Sequence, residues 1–161
     1  DGETLKKASA ILDELHCPFV INQNRYSIFD RTIEQNGLKE MAKKLHKGLI
    51  TFSPLAQGML TDRYLHGIPA DSRVNPDGRV LKKEQLTDQR IHPIQALNEI
   101  AAQRGESLAQ MALKWVIKDD VVTSVLIGAS RPGQILDNIK VIESAAFSDE
   151  EIRKIDEIAG V

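Results

Sequence analysis

Three short runs constrain this chain more than any other feature: Phe19-Val20-Ile21, Leu49-Ile50-Thr51-Phe52 and Val121-Val122-Thr123-Ser124-Val125-Leu126-Ile127. Each is flanked by stretches of helical spacing. A strand that is apolar on both faces suits a parallel sheet covered by helices, and strands alternating with helices build right-handed βαβ units. The chain begins on a helical pattern with no preceding strand to pack against, so it reads as a repeating fold entered midway. With 161 residues, 42% of them hydrophobic, it has material for one domain spanning residues 1–161. A closed eightfold β/α barrel needs about 250 residues. Any barrel here is a part of one.

The helices are legible from periodicity and end signals. Leu5, Ala8, Ile11, Leu12 and Leu15 recur along Thr4 to His16, with Thr4 as the expected N-cap. Leu38, Met41, Ala42 and Leu45 mark a helix from Gly37 to Lys47, closed by Gly48. Pro93 reads as a helix start and Gly105 as its stop. Ser107 with Gln110, and Ser148 with Glu151, have capping-box spacing before two further helices. Another helix is expected over Arg131 to Ile142. Asn22-Gln23-Asn24 is read as ending the first strand, and Ala56 to Arg90 as a long excursion of weak periodicity.

Charge and composition exclude several classes. Twenty-one Lys and Arg against 23 Asp and Glu leave a net charge of −2, so no basic field exists to hold nucleic acid or an anionic membrane. Cys17 is the only cysteine, which excludes an intrachain disulfide or a multi-thiolate metal site, and it is expected as a small buried hydrophobe. His16, His46, His66 and His92 lack metal-ligand spacing, so no metal site is expected. No window approaches 18 apolar residues and the first residues lack a signal-peptide pattern, so a cytoplasmic setting is expected.

In parallel α/β folds ligands bind beyond the carboxyl ends of the strands. The third strand is followed by Gly128, expected to allow a tight turn, by Ser130, expected to cap the next helix, and by the cation Arg131. A helix N-terminus so equipped favours a phosphate. Gln134 and Asn138, at i and i+4, with Asp137 beside them, could read an adenine edge. The same residues also fit an ordinary capped helix with a solvated polar face. The second strand ends on Phe52, whose ring could stack on a heterocycle, and Ser53, whose hydroxyl could bond a phosphate; core packing and a turn would use them equally well. The first end offers the carboxamide of Gln23. There is no Gly-x-Gly-x-x-Gly and no Gly-x-x-x-x-Gly-Lys loop. Tyr26 and Tyr64 have no lysine and carboxylate identifiable from sequence proximity that would tune either as a proton donor.

Taken in order, Gln23-x-x-Tyr26-Ser27-Ile28-Phe29-x-Arg31, Phe52-Ser53-Pro54-Leu55-Ala56-x-Gly58-x-Leu60-Thr61, and Ser124-Val125-Leu126-Ile127-Gly128-Ala129-Ser130 with Gln134 and Asn138 resemble the C-terminal half of an aldo-keto reductase. The branch is that of potassium-channel β subunits and bacterial glyceraldehyde-3-phosphate reductases, and the similarity runs nearly end to end. The resemblance implies an α/β fold that is part of a (β/α)8 TIM barrel, about three parallel strands, the sixth to eighth, with flanking helices. It implies an NADPH/NADP cofactor. Gln23 would bond the nicotinamide carboxamide and Phe52 would stack on its ring. Ser53, Leu55 and Gln57 would line the pyrophosphate path, and Arg63 and Arg73 would lie in the loop that folds over the cofactor. Gly128, Ser130, Gln134, Asp137 and Asn138 would hold the 2′-phosphate and adenine, with Arg131 added from local charge. The branch often has tryptophan where Phe52 stands.

The family's catalytic Asp, Tyr, Lys and His come from the N-terminal half, so no catalytic residue is assigned here. The expectation is the cofactor half of an oxidoreductase that reduces small aldehydes or ketones, inactive alone because it lacks the proton donor. Two other readings stand beside it: an NADPH-sensing or partner-docking module, and a half-barrel that assembles with a second chain. The missing N-terminal half or a second copy would be the partner, since three parallel strands leave two unpaired edges.

Overall fold

The computed structural model describes residues 1–65 and 88–160. Its elements in chain order are α1 (Gly2–Glu14), β1 (Ile21–Arg25), α2 (Thr32–Gln35), α3 (Leu38–Lys44), β2 (Gly48–Phe52), α4 (Asp88–Gln103), α5 (Leu108–Val116), β3 (Val122–Val125), α6 (Pro132–Ile139) and α7 (Asp149–Ala159). Short 3-10 turns cover Ala56–Gly58, Asp62–Tyr64 and Lys140–Glu143. The three strands form one sheet in the order β1-β2-β3, parallel throughout. This is the expected α/β arrangement of three parallel strands with flanking helices.

Local chemistry moved several boundaries. The first helix is capped by Asp1, whose carboxylate accepts from the Thr4 backbone N–H at 2.8 Å; Thr4 therefore lies inside the helix. Between β1 and α3 the chain makes the short helix α2, started where the Asp30 carboxylate accepts from both the backbone N–H and the hydroxyl of Thr32. Four residues are too few to show a periodic stripe. His46, at φ 52°, makes the left-handed turn after α3, and Gly48 is the first residue of β2. Both capping boxes form as the spacing predicts, Ser107 with Gln110 and Ser148 with Glu151. Pro93 is the sixth residue of α4 rather than its start, a position where proline removes one helical hydrogen bond.

The first strand also differs from expectation. It runs over Ile21–Arg25, so Asn22, Gln23 and Asn24 belong to it. Their backbones pair with Leu49, Ile50 and Thr51 of β2, and ladder hydrogen bonds are indifferent to side-chain polarity. The third strand is shorter than its apolar run, Val122–Val125 instead of residues 121–127.

Alternation of side chains divides the sheet into two unlike faces. Leu49, Thr51 and Val122 are buried on the side of the helices. The core there comprises Trp115, Tyr26, Met111, Leu108, Leu97, Ile94 and Ile155, with α1 and α3 approaching closely enough that a Cβ on Gly2 would stand 2.6 Å from the Gly37 carbonyl oxygen. The opposite face carries Gln23, Ile50, Phe52 and Ser124, all half-buried or exposed. Exposed apolar side chains gather at both flanks of the sheet: Ile11, Leu15, Val20 and Ile21 on the side of β1, and Leu126, Ile135, Leu136, Ile139 and Ile142 on the side of β3. Cys17, expected in the core, is exposed, because the turn between α1 and β1 lies on the first of these flanks. No helix among the described residues is long and apolar enough to cross a membrane.

Candidate functional site

The carboxyl ends of β2 and β3 lie side by side, since Thr51 pairs with Val125. Beyond β2 the backbone takes an uncommon path. Ser53, Ala56 and Gln57 have φ of 55°, 48° and 60°, and Gly58 has 97°. A non-glycine residue held in the left-handed region costs about 1–3 kcal/mol and persists only where surrounding structure enforces it. Here the backbone N–H of Ala56 donates to the Ser53 carbonyl, those of Gly58 and Leu60 donate to the Leu55 carbonyl, and the fully buried Leu60 anchors the turn.

Between this turn and the start of α6 lies a cavity of about 440 Å³. Ser53, Leu55, Gln57, Arg63, Gly128, Ser130 and Gln134 all line it, so residues separated by up to 81 positions in sequence meet around one cavity. Gln23 and Phe52 lie outside its lining, on the more open face of the sheet, with Gln23 opposite Ile50 and Phe52 opposite Arg25. Arg131 is exposed at the N-cap position of α6. Arg73 lies outside the described residues.

The N-terminus of α6 is built differently from expectation. The helix is capped from within: the Gln134 carboxamide oxygen accepts from the Ser130 backbone N–H at 2.8 Å, the Ser130 hydroxyl at 3.2 Å and the Arg131 N–H at 3.2 Å. Ser130 is a donor to this cap, and Gln134 does the capping. Gly128 is not required sterically, since a Cβ there would meet nothing within 4 Å. Asn138, one turn beyond Gln134, is buried, whereas Gln134 is exposed. Asp137 is exposed; its carboxylate pairs with Lys140 at 2.9 Å, and its carbonyl accepts from the Gln110 carboxamide.

The donor set of the cavity fits a phosphate-bearing ligand. It has two serine hydroxyls, two carboxamides, an arginine and the N-terminal end of a helix, and no carboxylate among its lining residues. Among the described residues no group of three or more His, Cys, Asp or Glu side chains is placed to hold a metal ion.

A second polar cluster was not legible in the sequence. Tyr26 is fully buried, donates its hydroxyl proton to Glu34, and accepts from Lys39 Nζ at 3.1 Å and Lys118 Nζ at 2.8 Å. Lys39 also pairs with Asp119 at 2.7 Å, and Arg31 with Asp156 at 2.7 Å. The Trp115 ring packs beside Tyr26 and lies beneath two cations, Lys118 Nζ at 3.5 Å and the Arg31 guanidinium at 4.2 Å from its centroid. A tyrosine with lysines and carboxylates around it has the composition of a proton-donor site. Burial and the hydrogen bond to Glu34 push the Tyr26 pKa far above its usual value, and its full burial leaves no face of the hydroxyl open to a substrate. Tyr64, the other tyrosine, is buried too, and lines the cavity beside Gly58.

Parallel strands, helices on one face and a cavity at the strands' carboxyl ends together define part of a β/α barrel, with the candidate site at the end where such barrels bind ligands. The family comparison agrees: the model of the aldo/keto reductase family matches residues 2–160, and the chain belongs to that family. Among its relatives, the L-glyceraldehyde 3-phosphate reductase of Escherichia coli (strain K12) is 43% identical over 158 residues, covering 96% of this chain and 46% of the relative. A probable voltage-gated potassium channel subunit beta of Oryza sativa subsp. japonica is 33% identical over 144 residues, covering 88% of this chain and 43% of that one. In structure the chain is similar to the glycerol dehydrogenase of Gluconobacter oxydans, with a TM-score of 0.71 at 23% identity, covering 91% of this chain and 45% of that one, which shows the shared fold. The chain spans about half the length of the relatives it matches.

Proposed function

We propose that the chain is the cofactor-binding half of an NADPH-dependent oxidoreductase that reduces small aldehydes or ketones by hydride transfer. The observation that carries this reading is the cavity beyond β2 and β3, where Ser53, Gln57, Arg63, Ser130 and Gln134 converge without an opposing carboxylate. When bound, NADPH supplies the hydride. The protein's part is to hold it: Ser53, Leu55 and Gln57 along the diphosphate, Gly128, Ser130 and Arg131 at the 2′-phosphate, Gln134, Asp137 and Asn138 around the adenine. Gln23 and Phe52 would orient the nicotinamide from the open face of the sheet. Arg63 and Arg73 belong to the covering loop in this reading.

The Gln134 cap gives the phosphate site a ready-made competitor. An incoming phosphate would take over the Ser130 and Arg131 N–H groups, and the carboxamide would turn to the base. The chain alone would be inactive toward carbonyls, because a developing alkoxide needs a proton and the Tyr26 hydroxyl is buried and committed to Glu34. The two apolar flanks fit the N-terminal half of the barrel as partner, with the chain's β1 and β3 edges continuing into its strands.

Titration calorimetry of the 161-residue chain with NADPH and with NADH tests the reading. Binding of NADPH in preference to NADH, without aldehyde-dependent NADPH oxidation, is expected. Absence of binding at millimolar NADPH refutes the cofactor role, and aldehyde reduction at ordinary enzyme rates refutes the inactivity. The same exposed apolar flanks favour a second reading, a partner-docking module or a half-barrel paired with its own copy. Sedimentation decides between them, since a mass of twice the chain would point to self-pairing.

A further inference from the structure

In the reading above, α6 receives the adenosine end of the cofactor, yet little packing holds this helix. Of its eight residues only Asn138 is buried, and Ile135, Leu136 and Ile139 are exposed. Against the segment that follows it lies an open cleft of about 560 Å³, shared by the α4–α5 turn, the 3-10 turn over Lys140–Glu143 and the start of α7. Polar bridges tie α6 and this segment to the α4–α5 side.

Two side chains make them. Arg104 donates to the Ala145 carbonyl at 2.7 Å, beyond the 3-10 turn, and is itself held by Glu106 and Glu151. Gln110 reaches α6 itself, its Nε2 donating to the Asp137 carbonyl at 2.9 Å. Asp137 lies in the last turn of α6, where helical carbonyls run out of intrahelical donors. The other end of the same carboxamide caps α5: Oε1 accepts from the Ser107 backbone N–H at 3.0 Å, and the Ser107 hydroxyl accepts from the Gln110 N–H at 3.2 Å. One side chain therefore ties α6 to the first turn of α5, which is anchored in the core by the fully buried Leu108, Met111 and Ala112.

We infer that Gln110 is a positioning residue for the cofactor: by clamping α6 to α5 it keeps Ser130 and Gln134 opposite the Ser53–Gln57 turn across the cavity. The inference rests on the reading that α6 receives the cofactor. Gln110 acts only through the pose of α6, and where α6 samples several poses, apparent affinity falls by the fraction of chains in the competent one. The double task needs an amide. A carboxylate can accept from Ser107 and cannot donate to Asp137, and an ammonium does the reverse.

Gln110→Glu separates the two halves of that task. Glutamate suits a capping box, so the melting temperature should not fall, while the donor to Asp137 is gone. In the ligand-free 161-residue chain, hydrogen exchange at the amides of Leu136 to Ile139 should quicken about fivefold while α5 keeps its rates, and NADPH should bind about fivefold more weakly, as for loss of one neutral hydrogen bond. Ser107→Ala is the converse: without the cap hydroxyl the melting temperature should fall, and NADPH affinity should stay within about twofold. Unchanged α6 exchange in Gln110→Glu overturns the clamp. Quicker exchange with NADPH affinity intact overturns the positioning role, and so does a loss of affinity that follows the melting temperature in both variants. If the parent chain binds no NADPH while α6 exchange still answers to Gln110→Glu, the cofactor reading fails and takes the positioning role with it, leaving the clamp as a structural contact.

Discussion

The cluster around Tyr26 and the turn beyond β2 are both rich in residues that do chemistry, yet they differ in every property that decides whether chemistry can occur. Around Tyr26 the charged groups and the hydroxyl are occupied by one another, and only the buried Trp115 indole N–H lacks a partner. The hydroxyl makes three contacts, both lysines are paired with carboxylates, and Arg31 is held by Asp156. The cluster fastens α2, α3, α5 and α7 together behind the sheet. At the cavity the groups are partly exposed, the backbone is held in a left-handed path, and the helix end is stopped by a side chain that another acceptor could replace. Residue type alone does not make a site; spare hydrogen-bonding capacity facing a cavity does.

Substitutions should separate the two regions most sharply at Trp115. It is fully buried and carries two cations on its ring, so Trp115→Ala should lower unfolding free energy by about 3–5 kcal/mol. Denaturant melts would read this, and a loss under 1 kcal/mol would mean that the cluster is not the clamp described. Tyr26→Phe keeps the ring and removes the shared oxygen, leaving Glu34 and two lysines short of a partner; a loss of about 1–3 kcal/mol is expected.

The cluster also predicts a pH dependence. Burial and the Lys39 charge lower the Lys118 pKa from 10.5 to about 8. Between these values the unfolded chain holds a proton that the folded chain has released, so stability rises with pH, by at most about 1.4 kcal/mol per unit. Above pH 10 Tyr26 acts in the opposite sense, because the folded chain keeps a phenolic proton that the unfolded chain loses. The rise from pH 8 toward 10 should vanish in Lys118→Met, and its persistence there would assign it to another group.

At the cavity the same logic predicts effects on ligand and not on stability. Arg131→Ala should weaken NADPH by about tenfold, with NADH changed less and the melting temperature unmoved, since Arg131 is exposed. Equal losses for the two cofactors would remove Arg131 from the 2′-phosphate site. The smallest effect belongs to the solvated pair Glu150 and Lys154 on α7: Glu150→Gln should change neither melting temperature nor binding measurably.

Much of this organisation was legible in the sequence because it depends on near neighbours. The capping boxes at Ser107 and Ser148 involve residues three apart; β3 lies within its apolar run and β2 exceeds its own only by Gly48, whereas β1 shares only Ile21 with its predicted run. The motifs after β2 and β3 identified in advance about half of the residues that line the cavity between β2 and α6. What was missed depends on long-range contacts or on competition among local ones. Asn22 and Asn24 join a strand because β2 pairs with them, Cys17 stays exposed because nothing described covers its turn, and Gln134 outcompetes Ser130 for the cap. The lysines that find Tyr26 come from 13 and 92 residues away, a separation that no local reading bridges.

By itself, then, the sequence determined most of the element types, their parallel βαβ order, the family and about half of the residues that line the cavity between β2 and α6. Tertiary structure alone decided which tyrosine is sealed, which turn is open and which arginines are spent on ion pairs. The reason is physical: periodicity and capping act over a few residues, whereas burial, pairing and pKa are set by whatever the fold brings within a few ångströms.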